Sequence, residues 1–324
     1  MKNTTLPQAM ARRAALAGFS MIALSGLALQ AEEIDNNGAL PAPQAGPTAA
    51  KNPPTTLSTG LAEQFNTGVA SGGTMSITRF QAGVVAPFRL TDALVVSTSF
   101  KYGLDIYDFR SVQPQWRGPW HNINTYTLAT IVQGTIDDQW SVYGGGLVRE
   151  SGETGAEFGE GFTGGGLIGV NYKYSDTLSF GGGLGLMSQL EDHAAVLPLI
   201  TANWKFADAW HLKVGLTDVA TTGYGAEVIY DVTSDWQLAF GLQHEKSRFR
   251  IEGANLTQDG IGQEESSALY TDATWHATPD IDVDGYLGLT VGGNLRVENQ
   301  HGTGIYSSDY NTAAIIGLKA SFRF

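Results

Sequence analysis

The last thirteen residues, Thr312 to Phe324, alternate with a period of two. Ala314, Ile316, Leu318, Ala320, Phe322 and Phe324 fall on one face, and Ala313, Ile315, Gly317, Lys319, Ser321 and Arg323 on the other. Successive strand side chains point to opposite sides, so this segment is a strand with one apolar face and one small or polar face. The same parity recurs upstream. Trp210, Leu212, Val214 and Leu216 oppose His211, Lys213, Gly215 and Thr217, and Trp236, Leu238, Phe240 and Leu242 oppose Gln237, Ala239, Gly241 and Gln243. From Leu61 onward helical periodicity is absent.

One punctuation mark divides these strands: a turn carrying Asp, followed at once by a large apolar residue. It occurs as Asp92 with Leu94, Asp138 with Trp140, Asp176 with Leu178, Asp208 with Trp210, Asp235 with Trp236 and Asp280 with Ile281. The intervals of 46, 38, 32, 27 and 45 residues each hold two strands and a loop. Asp satisfies its own backbone in a tight turn, and Trp just past it suits a membrane–water boundary. A water-soluble sandwich would alternate too, so it is the repeated Trp beside one set of turns that favours a membrane barrel. The expectation is an all-β, transmembrane, antiparallel up-and-down β-barrel of about 14 strands, or 12 if the first is absent. The strands are expected near 61–70, 74–88, 94–105, 123–136, 140–150, 161–174, 178–188, 195–206, 210–218, 223–232, 236–247, 266–277, 281–291 and 312–324. Loops at 106–122, 151–160, 248–265 and 292–311 would face outward from the cell.

The N-terminus reads as an export signal. Lys2, Arg12 and Arg13 precede an apolar stretch from Ala14 to Leu29, and Ala31 precedes Glu32 and Glu33. Residues 1–31 are therefore expected to be a cleaved signal peptide, 32–60 a Pro- and Ala-rich disordered leader, and 61–324 the barrel. Without those first 31 residues the chain carries 16 Lys+Arg against 32 Asp+Glu, which opposes binding to nucleic acid. The absence of cysteine excludes a disulfide framework, a thiolate metal site and a Cys nucleophile. No later apolar run reaches the roughly 20 residues of a spanning helix, so a closed barrel is the remaining way to cross a bilayer.

Motifs that would carry chemistry fail on context. Gly164, Gly166 and Gly169 have dinucleotide-fingerprint spacing but sit inside an alternating strand with no following helix, where glycine serves bending or close aromatic packing. Asp280, Asp282, Asp284 and Gly285 open like a calcium loop, yet the twelfth position is Val291 rather than Glu. A lipid-modifying enzyme would need a His–Ser pair near the outer face, and parity puts His244 and Ser247 on opposite faces. His211 and His276 point into the lumen near the turns, and His121, His193 and His301 lie in loops. No cofactor, no metal and no enzymatic activity are expected.

The inward face is the more informative set. Parity directs Arg79, Lys101, Arg149, Lys173, Lys205, Lys213, Glu227, Asp231, Asp282, Asp284, Lys319 and Arg323 into the lumen. Such mixed charge implies either a hydrated, selective channel or a lumen braced by ion pairs. Glu150, Glu153, Glu157 and Glu160, with Glu191, Asp192, Glu264 and Glu265, make the loops acidic: a solubilised rim, or sites for cation bridges to lipopolysaccharide. Trp116, Trp120 and His121 form an aromatic group in the 106–122 loop.

A C-terminal strand ending in Phe324 resembles the closing strand by which outer-membrane barrels engage the barrel-assembly machinery. Tyr230 to Phe324 is similar to the C-terminal half of an uncharacterised outer-membrane β-barrel family of unknown function. The similarity rests on Arg248-Phe249-Arg250-Ile251, Asp259-Gly260-Ile261-Gly262-Gln263-Glu264-Glu265-Ser266, Gly292-Gly293-Asn294-Leu295-Arg296 and Ser321-Phe322-Arg323-Phe324. A looser similarity is to barrels for uptake of aromatic or hydrophobic compounds. The resemblance implies an integral outer-membrane location, contact with outer-membrane lipids and lipopolysaccharide, and no catalytic residues. The expected function is a porin-like channel or passive transporter of small solutes. The alternatives are a non-conducting structural or adhesive barrel and a lipid-modifying enzyme.

Overall fold

The computed structural model describes residues 53–112, 118–218, 222–252, 257 and 259–324. Its regular structure is all strand: β1 (Thr56–Gly68), β2 (Thr74–Thr91), β3 (Leu94–Arg110), β4 (Asn122–Thr135), β5 (Trp140–Glu153), β6 (Phe162–Ser175), β7 (Leu178–Gln189) and β8 (Asp192–Ala207). These are followed by β9 (Trp210–Asp218), β10 (Thr222–Asp231), β11 (Trp236–Arg250), β12 (Ile261–Thr278), β13 (Ile281–Glu298), β14 (Gly304–Tyr310) and β15 (Ala313–Arg323). From β1 to β14 each strand pairs antiparallel with the next, β15 pairs with β13, and β1 pairs with β15 from Thr56 opposite Arg323 to Gln64 opposite Ile315. The sheet thereby closes on itself and has no free edge to satisfy.

The ring has fourteen strands, with β14 as one extra segment. Along β13, Thr290 lies opposite Ala313 and Gly293 opposite Tyr310, so β14 and β15 share one register. The strand is interrupted at Asn311–Thr312, where the side-chain parity shifts by one.

On the outside, Leu128, Ile168, Leu184, Phe240, Leu287 and Leu318 are exposed. Near the Asp-bearing turns they give way to aromatic pairs: Trp140 with Tyr172 (4.7 Å between ring centroids), Trp210 with Tyr230 (4.6 Å) and Trp236 with Trp275 (6.0 Å). At the far end Phe158 packs on Tyr126 and Phe162. An apolar band between two aromatic girdles is the surface of a membrane-spanning barrel, and a soluble sandwich would hide it. The 14-strand count holds, and the 12-strand alternative falls because β1 pairs along both edges.

Strand limits differ from the sequence expectation. β1 begins at Thr56, five residues early, because Thr56–Gly60 already pairs with both β2 and β15. The signal peptide and the leader up to residue 52 lie outside the described residues. The long far-end loops are largely strand: β3 runs to Arg110, β5 to Glu153, β11 to Arg250 and β13 to Glu298, while β12 starts at Ile261. Their charges and glycines read as solvent-facing loop, but these segments pair and pack on one another inside the barrel.

Glycine inside this barrel makes room for tyrosine. A Cβ on Gly169 would collide with the Tyr143 ring, one on Gly241 with Tyr270, and one on Gly317 with Tyr286. The Gly169 position in the nucleotide-like motif is thus a rest for an aromatic ring lying across the adjacent strand. Gly317→Val is expected to destabilise the folded barrel by about 1–3 kcal/mol through overpacking. Urea unfolding in detergent, read by the mobility of unheated protein on gels, checks this. Tyr286→Ala in the same chain should restore much of the loss, and Gly60→Ala, whose nearest neighbours sit at 3.5 Å, should leave stability nearly unchanged.

Candidate functional site

The two ends of the barrel interior are built differently. In the far half a hydrophobic core fills the bore. Met75, Ile77, Tyr107, Phe109, Trp120, Ile123, Phe249 and Leu295 are buried together. Trp120 is fully covered, with its ring 5.0 Å from Phe249, 5.6 Å from Tyr107 and 5.9 Å from Phe109.

The β11–β12 hairpin supplies much of that filling. Its strands are buried on both faces over Lys246–Arg250 and Ile261–Glu264, so its tip enters the bore rather than continuing the wall. Arg250 bridges in parallel to Gly152 of β5, on the other side of the ring. Arg248 donates to Gln263 Oε1 (2.8 Å), Leu190 O (2.9 Å) and Glu298 Oε2 (2.9 Å). Arg250 donates to Glu160 O, to Asp259 O (2.7 Å) and to Glu191 Oε1 (2.9 Å). A guanidinium can reach several acceptors at once, which is how two arginines tie one hairpin to three connections.

Beneath the hairpin lies one buried charge cluster. Glu264 Oε2 accepts from Arg79 Nη2 (2.8 Å) and from Tyr107 OH (2.6 Å), while Oε1 accepts from Tyr310 OH (2.9 Å). Asp105 sits 3.7 Å from Arg79 Nε. These groups come from four strands, with Asp105 and Tyr107 both on β3, so the cluster holds β2, β3, β12 and β14 in one arrangement. At the rim, Glu153 accepts backbone N–H groups of His121 (2.8 Å) and Glu252 (2.9 Å). Burial nevertheless holds its carboxyl above the usual carboxylate range.

The half nearer the turns is hollow. A cavity of about 670 Å³ runs from the turn residues Asp137 and Asp176 up to Tyr143, Leu199 and Tyr224. Its walls carry Lys173, Lys205, Lys213, His211, Asn171 and Asn203 among Ile131, Leu167 and Leu199. The arrangement is a cup, closed above by the packed half among the described residues.

The sequence-selected residues distribute over both regions. Arg79 belongs to the Glu264 cluster, and Arg149, 1% exposed, donates to Arg248 O (3.0 Å). Lys101 stands in register with Gly83 and Thr127. Lys173 pairs with Asp176 (2.7 Å) at the turn, Lys213 with Glu227 (3.7 Å), and Asp231 with His211 (2.7 Å). Tyr270 OH donates to Glu227 (2.7 Å). Asp282 joins His276 (2.8 Å) and Arg323, Asp284 accepts from Thr274 Oγ1 (2.8 Å), and Lys319 lies opposite Asp284. Lys205 lines the cup. The calcium-like run is therefore a set of cross-strand contacts.

Trp120, in the β3–β4 connection, is the centre of the far-half core, and Trp116 lies outside the described residues. His244 Nδ1 lies 3.0 Å from Ser267 Oγ on the neighbouring strand, a pair the sequence reading did not consider. The sequence reading missed Glu264, Tyr107, Tyr310, Arg248 and Arg250 as a group. Glu264 was assigned to an acidic rim, since only the tertiary fold turns the hairpin inward.

A family model described as a domain of unknown function (DUF6268) matches residues 135–324. No curated protein matches the sequence. Among solved structures, the chain is similar to a Pseudomonas aeruginosa FadL homologue, with 11% identity, 84% of this chain and 90% of that chain covered, and a TM-score of 0.48. It is similar to an outer-membrane channel from Pseudomonas putida F1, with 13% identity, 90% and 99% covered, and a TM-score of 0.46. A TodX monoaromatic hydrocarbon channel mutant gives 8%, 85% and 91%, and 0.43. These likenesses concern the fold.

Removing Glu264 should be costly, because Arg79 would be left buried without its closest carboxylate. Glu264→Ala is expected to lower barrel stability by about 3–5 kcal/mol, as breaking a buried pair generally does. Unfolding in lipid measures it. The isosteric Glu264→Gln, which keeps an acceptor for one tyrosine, should cost clearly less.

Proposed function

The chain belongs to the DUF6268 family, and from that premise we propose that it is an outer-membrane passive transporter of small solutes. The observation carrying this reading is the cup: a water-accessible cavity of about 670 Å³ inside a membrane barrel, at the end where Thr56 pairs with Arg323 and the Asp-bearing turns lie. With short turns at the periplasmic side, the cup opens to the periplasm and the packed half faces outward.

The filled outward half distinguishes this protein from a wide pore. Hydrated porins keep an aqueous channel from end to end, whereas here Trp120, Phe249, Arg79 and Arg248 occupy the bore. Sustained ion current is therefore not the expected activity. Solute-sized passage with low ion leak is. Selectivity in the cup falls to Lys173, Lys205 and Lys213, while Arg79 and Arg149 serve as braces. The packed half also favours, as second reading, a non-conducting structural barrel.

Flux separates the two. Liposomes containing folded protein should admit small organic solutes faster than empty liposomes while showing little steady conductance in planar bilayers. Folded protein that leaves liposomes as tight as empty ones supports the structural barrel instead. Lys205→Gln is expected to lower benzoate uptake relative to neutral benzyl alcohol by roughly fivefold, since a unit charge near 4 Å in water is worth about 1 kcal/mol.

A further inference from the structure

One buried carboxylate points out of this barrel rather than into it. Glu150 of β5 lies opposite Tyr126 of β4 and opposite Phe162 of β6. Residues opposite one another in a ladder share a face, and Tyr126 and Phe162 are exposed on the outside, so Glu150 faces outward between them. It follows Trp140 of the turn-side girdle by ten residues along the same strand. At about 3.3 Å per residue and a tilt near 40°, that is roughly 25 Å, the full height of the apolar band. Glu150 therefore stands at the far membrane boundary.

Although it faces out, Glu150 is only 5% exposed. The β5–β6 connection covers it. The Gly159 N–H donates to Glu150 Oε1 (3.4 Å), and a Cβ on Gly161 would lie 2.8 Å from the same oxygen. The Phe158 ring centroid is 6.3 Å from that of Tyr126 and 5.6 Å from that of Phe162. Those two rings stand on strands about 10 Å apart with β5 between them, so Phe158 spans the strand that carries Glu150. Three rings surround one carboxylate.

That carboxylate is only half satisfied. Its Oε2 is buried and has no hydrogen-bond partner among the described residues. A carboxylate only accepts, so the missing partner is a donor, and burial without one is costly. The rings decide which donor fits. Aromatic faces attract cations, so a compact ammonium satisfies the carboxylate and the rings together, whereas water meets only the first need. Phe158 is 71% exposed, so its ring can turn aside for entry without opening a packed core. Glu157 and Glu160, exposed on the same connection, draw cations toward the opening.

We propose that Glu150, Tyr126, Phe158 and Phe162 form a binding site for a primary organic ammonium group at the far membrane boundary. The ammonium N–H groups meet Glu150 Oε2, and the attached methylenes lie against the rings. The group arrives either on a free amine or on the headgroup of a lipid such as phosphatidylethanolamine, because the site lies at headgroup level. It is outside the lumen and independent of transport through it.

Calorimetric titration of ethylammonium chloride into folded full-length protein in amine-free detergent tests the site, with sodium chloride as the reference. Saturable binding is expected. Glu150→Gln, which removes the charge, should weaken it by about tenfold or more. Phe158→Ala should weaken it roughly two- to fivefold. This second variant truncates an exposed side chain, so it keeps the test decisive if Glu150→Gln does not fold, which the mobility of unheated protein on gels reports. In a second arm, phosphatidylethanolamine or phosphatidylglycerol is added to the micelles and the urea midpoint is read. A larger gain with phosphatidylethanolamine that disappears in the variants assigns the lipid headgroup as the source. Ethylammonium binding with equal effects of the two lipids assigns free amines. Neither effect in the wild type, or effects unchanged in both variants, overturns the site.

Discussion

Backbone hydrogen bonding in a medium without water is the constraint from which the rest of this structure follows. Every N–H and C=O at membrane depth must find a partner in the protein, and β1 closing on β15 supplies the last set. That closure is what permits Leu61, Phe240 and Leu318 to sit on the outside at no cost, since lipid rather than water meets them. It also forces the charged half of each strand inward, where it must pair or be hydrated.

The two halves of the bore resolve that requirement differently. In the outward half, the β11–β12 hairpin folds into the bore and Glu264 gathers Arg79, Tyr107 and Tyr310 around one carboxylate. Buried charge of this kind contributes little net stability against a hydrophobic filling, but it strongly disfavours arrangements that break it. It fixes where the hairpin lies. In the half nearer the turns the inward side chains, Lys173, Lys205 and Lys213 among them, leave a cavity of about 670 Å³ unfilled.

The parity of single strands was readable because it depends on nothing but the two-residue repeat and which medium each face meets. Asp208 with Trp210, and Asp235 with Trp236, marked turns and girdle directly, as the Trp210–Tyr230 and Trp236–Trp275 pairs bear out. Gly169 could be read as an aromatic rest but not matched to Tyr143, because that contact depends on the stagger between β5 and β6. Glu264 looked like a rim charge and Arg248 like the start of a loop for the same reason: local sequence carries no sign that a hairpin bends into its own barrel.

What the residue order determined alone was the medium on each side of the wall, a closure of 14 or 12 crossings and the positions of the Asp-bearing turns. These follow from local alternation and turn chemistry, which any fourteen-strand closure would respect. Only the tertiary structure decided that the far half of the bore is filled and that Trp120 is its centre. Those outcomes depend on inter-strand register and on residues nearly two hundred positions apart, such as Arg79 and Glu264, meeting in one place.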